Sequence, residues 1–319
     1  MYDIVSLGSA TIDVFVRTAQ DSRKIISHAK HPDVCLPVGA KVLVDDLFTS
    51  TGGAGTNTAV AFARLGLKTA WIGPLGKDRN AQEVVRALRH EKVDSHPQYH
   101  PGRTGYSVVL TGLKHDRTVL AFKGVNDTLS SVHLPATKWL YCGSFLGAAW
   151  HAAVKAVIAA RRANVRVAFN PSLYLAKKGM RALAPVLKHL DVLILNKEEA
   201  SALLGKNGTI AELAHRLTKH IKVAVVTDGE HGVVASDGYF AYSLKPKHVR
   251  VTESTGAGDA FASGFVAGML WNKTIPDCLR LGHAEAVSVL SGLGAKTHLL
   301  SKAKALSTMK KFKVTVVAQ

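Results

Sequence analysis

One carboxylate stands out for its company. Asp259 lies within Ser254-Thr255-Gly256-Ala257-Gly258-Asp259-Ala260-Phe261, a stretch of small residues leading into the apolar run Ala260–Trp271. That run predicts a helix. The first N–H groups of a helix lack intrahelical partners, and the helix dipole leaves partial positive charge there. Gly256 and Gly258 allow the backbone to close around an anion with no Cβ in the way. A carboxylate beside an anion site is unfavourable unless it has a task. The chemistry that suits this set is removal of a hydroxyl proton by Asp259, while the amides of Gly256, Ala257 and Gly258 stabilise a phosphoryl group in transfer.

Four other clusters are candidates for the same chemistry, each with a purely structural alternative. Asp13 lies just beyond the first apolar segment, where it could accept hydrogen bonds from two neighbouring hydroxyls or simply be a solvated turn residue. In Thr51-Gly52-Gly53-Ala54-Gly55-Thr56-Asn57 the double glycine permits close approach of a ligand, and Asn57 offers a donor and an acceptor; packing or turn geometry would also account for the glycines. The stretch is not a Walker loop, because it lacks the lysine followed by serine or threonine, and it does not follow the first strand as a dinucleotide fingerprint should. Asn196-Lys197-Glu198-Glu199 has capping-box spacing, and Asn196 with Glu199 could in addition orient water around Mg²⁺ beside a polyphosphate. In Thr227-Asp228-Gly229-Glu230-His231-Gly232, Thr227 and the backbone at Gly229 and Gly232 could contact nucleotide phosphates or form a tight turn between strands. The fifteen histidines show no metalloprotease-type pairing, and no G-x-S-x-G elbow is present.

These residues need elements to position them. Short β-rich segments at Ile4–Leu7, Thr69–Ile72, Trp139–Cys142, Val165–Phe169, Val192–Leu195 and Val223–Thr227 alternate with helical periodicity. The helical segments are Asn57–Leu65, Ala81–Glu91, Ala152–Ala163, Arg181–His189, Ile210–His220, Ala260–Trp271 and Pro276–Leu293. Alternation of this kind predicts an α/β fold whose mostly parallel central sheet is covered on both faces, in three layers, with ligands at the carboxyl ends of the strands. Two stretches break the rhythm. Val14–Val44 has β-like pieces and polar turns, and Tyr106–Leu110 with Thr118–Phe122 flank a turn around Gly112, Lys114 and Asp116 that reads as a hairpin. Together they predict a small β-sheet lid, 14–44 and 104–122, over a core of 1–13, 45–103 and 123–319 that binds nucleotide and substrate; an insertion with a dimer-forming face is the alternative.

Composition narrows the setting. With 47% hydrophobic and 20% charged residues over 319 positions, the chain can bury a sizeable core. Cys35, Cys142 and Cys278 lie far apart with neither disulfide nor metal spacing, which points to a reduced, cytoplasmic setting. No apolar run approaches membrane-spanning length, so no membrane partner is expected. The net charge of +18 comes from basic residues scattered along helices, as on a generally basic surface, and does not favour a nucleic-acid partner.

On these residues the chain resembles the ribokinase, or phosphofructokinase-B, family of carbohydrate kinases. Its two signatures correspond to Gly52–Asp78, including Gly52-Gly53-Ala54-Gly55-Thr56-Asn57 and Ile72-Gly73-Pro74-Leu75-Gly76-Lys77-Asp78, and to Ser254–Phe261. The resemblance implies a ribokinase-like core with a β lid and transfer of the γ-phosphoryl group of ATP to a hydroxyl of a sugar or nucleoside. It implies Asp259 as general base, Gly256–Gly258 as anion hole, and Asp13, Gly53 and Asn57 as acceptor-binding residues. Asn196, Thr227, Gly229 and Gly232 would meet the nucleotide, and Glu199 would organise Mg²⁺ through water. Glu253-Ser254-Thr255 replaces the family's Asp-Thr-Thr, which leaves a monovalent cation open, and Ala54 replaces a lysine of many ribokinases, which leaves the acceptor open. A homodimer through the lid is expected. A nucleoside kinase of the same fold and a catalytically weak, ligand-binding regulatory protein are the alternative functions.

Overall fold

The computed structural model describes residues 1–18, 24–27, 32–35, 38–113, 116–246, 251 and 253–319. A ten-stranded sheet runs through it in the order Thr315–Ala318, Phe240–Leu244, Val233–Ser236, Val223–Thr227, Val192–Asn196, Arg166–Phe169, Thr137–Cys142, Tyr2–Leu7, Thr69–Gly76 and Asp94–His100. Every pairing from Val223–Thr227 to Asp94–His100 is parallel, and the three pairings at the other end are antiparallel. The central strands read as continuous apolar runs because both faces are covered. Trp139 and Tyr141 turn toward Phe62, Phe261 and Phe265 on one side, while Leu140 and Cys142 turn toward Phe169, Val157 and Leu183 on the other. Alternate residues of one strand thus feed two cores, the three-layer arrangement expected from the sequence.

The chain enters this sheet at the third strand from one edge. From Tyr2–Leu7 it steps outward to Thr69–Gly76 and Asp94–His100, then returns to the opposite side of Tyr2–Leu7 with Thr137–Cys142. Such a reversal leaves a crevice at the carboxyl ends of the strands. Parallel pairing brings Gly8, Gly143, Asn196 and Thr227 to that same edge of the sheet.

A separate four-stranded sheet has the order Val44–Gly52, Thr11–Thr18, Gly105–Leu113 and Asp116–Phe122. The hairpin expected around Tyr106 and Phe122 is present, with those two residues opposite each other; Lys114 of its turn lies outside the described residues. The small sheet also takes in Thr11–Asp13 and Val44–Gly52, which the sequence division left mostly with the larger unit. Its first strand carries straight on from the central sheet after only Gly8–Ala10, so no composition change marks the passage.

Some elements gave no periodic signal. Asp94–His100 is a polar edge strand with Pro97 inside it, a position tolerated only where one side needs no ladder partner. The Lys197–Leu204 helix is short, and what marks it is its cap: Asn196 Oδ1 accepts from the Glu199 amide and Glu199 Oε2 from the Asn196 amide.

The Ile275–Val289 helix buries Glu285 completely, with one carboxylate oxygen accepting the Leu300 amide at 3.2 Å and the other lacking a partner among the described residues. Burial pushes this carboxyl up to about 8. The folded chain therefore holds a proton that the unfolded chain releases from about pH 4.5 upward, and stability falls as pH rises, by at most about 1.4 kcal/mol per pH unit, until the folded group ionises near 8. Glu285→Gln should remove that slope. Denaturant unfolding at pH 5 and pH 8 should show the variant gaining on the parent at the higher pH; parallel pH profiles would contradict the assignment.

Candidate active site

The small sheet presents Asp13 to the crevice. Thr11 and Asp13 are two apart on a strand and so share a face, and Thr11 Oγ1 donates to Asp13 Oδ1 at 2.8 Å. The register sets Ser107 beside Asp13, where the serine hydroxyl donates to the same carboxylate. Asp13 is therefore a buried strand residue, not a solvated turn aspartate. Burial pushes its carboxyl up, against the downward pull of Thr11, Ser107 and Lys296. On the neighbouring strand a Cβ at Gly52 would lie 1.8 Å from Asp13 Oδ2, so any larger residue there would evict the carboxylate.

Gly53 then turns the chain at φ +94° into the Ala54–Arg64 helix, whose first turn carries Asn57. Asn57 Nδ2 donates to Asp259 Oδ2 at 2.8 Å. Its amide oxygen is buried and has no partner among the described residues. A buried acceptor of this kind is costly to leave unsatisfied, and a ligand hydroxyl would satisfy it.

Asp259 stands in the first turn of the Ala257–Leu270 helix, as the apolar run implied. Gly256 caps that helix at φ +82°, and a Cβ there would come within 2.4 Å of the Ala295 Cβ. In front of Gly258 a Cβ would meet nothing within 4 Å, which leaves open space at the helix start. The Ala257 amide already donates to Ser254 O at 3.3 Å, a long bond that an incoming anion would have to displace. Burial pushes the Asp259 carboxyl up, the Asn57 bond and Lys296 draw it down, and Asp13 raises it.

Lys296 is the residue the sequence did not reveal. Its ammonium donates to Thr51 O and, at 2.8 Å, to Thr51 Oγ1. Burial pushes it down to about 8, opposed by Asp13, Glu91 and Asp259, so one lysine shares its charge with both carboxylates of the crevice. Arg64 fixes its backbone by donating to Lys296 O at 2.8 Å, and Glu91 holds Arg64 through two bonds of 2.9 and 2.6 Å. No local pattern around Gly294-Ala295-Lys296 announces this role. Thr11, by contrast, had a local signal that was passed over, the Thr-x-Asp spacing that puts it on one strand face with Asp13.

The remaining candidates line the next strand ends. Asn196 and Thr227 are paired neighbours in the central sheet. Glu199 is raised to about 7 by burial and by the Glu198 and Asp259 carboxylates, against the Asn196 amide that lowers it. Gly229–His231 form a 3-10 turn closing the hairpin to Val233–Ser236, with the Asp228 amide donating to Gly232 O at 2.8 Å; the tight-turn reading of these glycines is thus met, and Thr227 ends its strand at the crevice. Among the described residues no group of three or more His, Cys, Asp or Glu side chains could hold a metal. A divalent ion here would draw most ligands from water and phosphate, which suits the mutual repulsion of Glu199 and Asp259.

Residues 1–302 match the sequence profile described as pfkB family carbohydrate kinase. An uncharacterized sugar kinase of Archaeoglobus fulgidus is 28% identical over 247 residues, covering 75% of this chain and 98% of the relative. A 5-dehydro-2-deoxygluconokinase of Clostridium perfringens is 27% identical, covering 91% of this chain and 87% of its own. The structure of an Arabidopsis thaliana ribokinase complexed with ribose and ATP superposes with a TM-score of 0.77 at 21% identity, covering 97% of this chain and 99% of that one, and so shares the fold.

The two glycines of the turn should respond differently to alanine. Gly256→Ala meets a positive φ and the Ala295 backbone, and should cost about 2 kcal/mol or more. Gly258→Ala enters open space in a helix and should leave stability within ~1 kcal/mol of the parent. Equilibrium unfolding of both variants checks the contrast; equal losses would refute the geometry.

Proposed function

The chain belongs to the pfkB family of carbohydrate kinases, and from that premise we propose that it transfers the γ-phosphoryl group of ATP to a hydroxyl of a sugar or sugar derivative, with Asp259 as general base. The observation that carries the reading is the Asn57–Asp259 bond of 2.8 Å, set at a helix start with open space before Gly258 and an unsatisfied Asn57 oxygen beside it. The ribose and ATP bound in the Arabidopsis ribokinase, which shares this fold, support the pairing of a sugar acceptor with ATP.

In this reading Asp13 and the Asn57 side chain hold the acceptor, with Gly53 giving it room. Asn57 also fixes the orientation of the Asp259 carboxylate, which takes the proton as the acceptor oxygen attacks in line. Lys296 offsets the repulsion between Asp13 and Asp259 and so limits how far burial raises the base. The Gly256, Ala257 and Gly258 amides face the charge that spreads over the phosphoryl oxygens. Thr227 and the Gly229 and Gly232 turn, with Asn196, line the nucleotide side. Mg²⁺ supplies charge neutralisation between phosphates, and Asn196 with Glu199 would hold it through water. A monovalent cation fits poorly. Glu253 Oε1 already accepts the Thr255 amide at 2.6 Å and faces Arg117 Nε at 3.6 Å, so a further cation there would meet a guanidinium.

The small sheet of Val44–Gly52, Thr11–Thr18, Gly105–Leu113 and Asp116–Phe122 serves as a lid. Val44, Leu47, Phe48, Val119, Leu120 and Phe122 are exposed on its two outer strands, and unpaired strand edges invite association. We therefore read the lid as the face of a homodimer. The three cysteines are free, in keeping with a cytoplasmic setting.

Asp259→Asn should lower kcat by ~10²–10⁴-fold while ATP binding persists. ADP release measured against pentoses, hexoses, sugar acids and nucleosides identifies the acceptor, and a folded Asp259→Asn with undiminished kcat on that acceptor would remove the base assignment. Nucleosides as the sole acceptors would favour the nucleoside-kinase alternative, and tight binding without turnover the regulatory one. Light scattering should give twice the chain mass, falling to one chain in Leu47→Asp/Leu120→Asp; a monomeric parent would refute the dimer.

A further inference from the structure

One contact joins the small sheet to the segment that leads into the Ala257–Leu270 helix. Arg117 lies on the outer strand Asp116–Phe122 of the small sheet, more than one hundred positions before the turn it reaches. Its Nη1 donates to Ser254 Oγ, and its Nε lies 3.6 Å from Glu253 Oε1. Glu253 is 4% exposed. Its Oε1 also accepts the Thr255 amide at 2.6 Å, so the same carboxylate oxygen that faces the guanidinium shapes the backbone running into Gly256.

A buried carboxylate is costly without a cation, and removing one partner of such a pair leaves the other uncompensated. Glu253 is therefore well placed only while the small sheet is seated. If the sheet lifts, Glu253 loses its guanidinium and Ser254 its donor, and the cost falls on residues 253–255, immediately before the helix start that would receive phosphate. We propose that Arg117 is a positioning residue that couples seating of the small sheet to the shape of the Ser254–Gly258 turn. The turn adopts its anion-receiving form when the sheet is down and loosens when it lifts. The catalytic consequence rests on transfer occurring at Asp259; the coupling itself does not.

The test uses the full-length chain as parent, Arg117→Lys, Arg117→Ala, Glu253→Gln and the Arg117→Ala/Glu253→Gln double variant. Hydrogen–deuterium exchange without ligands should show faster uptake in residues 253–258 and in 116–122 together in Arg117→Ala, with the double variant no faster than the single one. Unchanged uptake at 253–258 in folded Arg117→Ala would overturn the proposal. With the acceptor identified for the parent, Arg117→Ala should lower kcat about 10- to 100-fold, as misplacement of a reacting centre does. The acceptor KM should change little, and added guanidinium ion should restore part of the rate in Arg117→Ala but not in the double variant. Arg117→Lys should fall between parent and alanine, and it carries the exchange test if the alanine variant does not fold. A parent that phosphorylates no acceptor would sink the kinase reading while the exchange result still decides the coupling.

Discussion

A hydrogen bond between residues 202 positions apart holds the crevice together: Asn57 of one helix start donates to Asp259 of another. Each helix begins at a glycine with positive φ, Gly53 or Gly256, and each start is pressed against other backbone. The Gly55 and Thr56 amides of the first start already donate to Ser9 O, so what the two helix N-termini bring to the crevice together is chiefly their positive dipole ends. That environment tolerates carboxylates and favours anions; Asn57 and Asp259 lie in it, while Asn196, Thr227, Gly229 and Gly232 lie at the ends of other strands of the central sheet.

Charge balance inside the crevice explains its composition. Asp13 and Asp259 are both raised by burial and each is drawn back by Lys296, which is itself lowered to about 8. Without the lysine both acids would be raised further, and without the acids the lysine would be lowered further. Glu199 adds a third acid, raised to about 7 by burial and by the Glu198 and Asp259 carboxylates and held down only by the Asn196 amide. The Arg64–Glu91 pair supports this set from behind, by anchoring the backbone of Lys296.

The small sheet contributes to both ends of the site. Its inner strands supply Thr11, Asp13 and Ser107, and its outer strand supplies Arg117 to Glu253 and Ser254. Asp13 with its hydroxyl partners and the arginine that reaches Glu253 and Ser254 are thereby mounted on one sheet. A rigid-body movement of that sheet would change both together, which is how a lid can admit reactants and exclude water with few parts.

Much of this was readable from residue order. Alternating β-rich runs and helical periodicity specify the layered α/β core, since burial on both faces demands continuous apolar strands. Glycines next to a helix-forming run put Asp259 in the first turn of a helix whose start faces open space, as the residue order implies. The Asn196–Glu199 cap was likewise local, a matter of side chains three positions apart. What the tertiary structure alone decided were the partners brought in from a distance: Lys296 from beyond the following helix, Ser107 through strand register, Arg117 through the approach of the small sheet to the Glu253–Ser254 segment. Local sequence carries backbone geometry because neighbouring residues share it, whereas the charges that tune a buried acid act through space and leave no periodic trace along the chain.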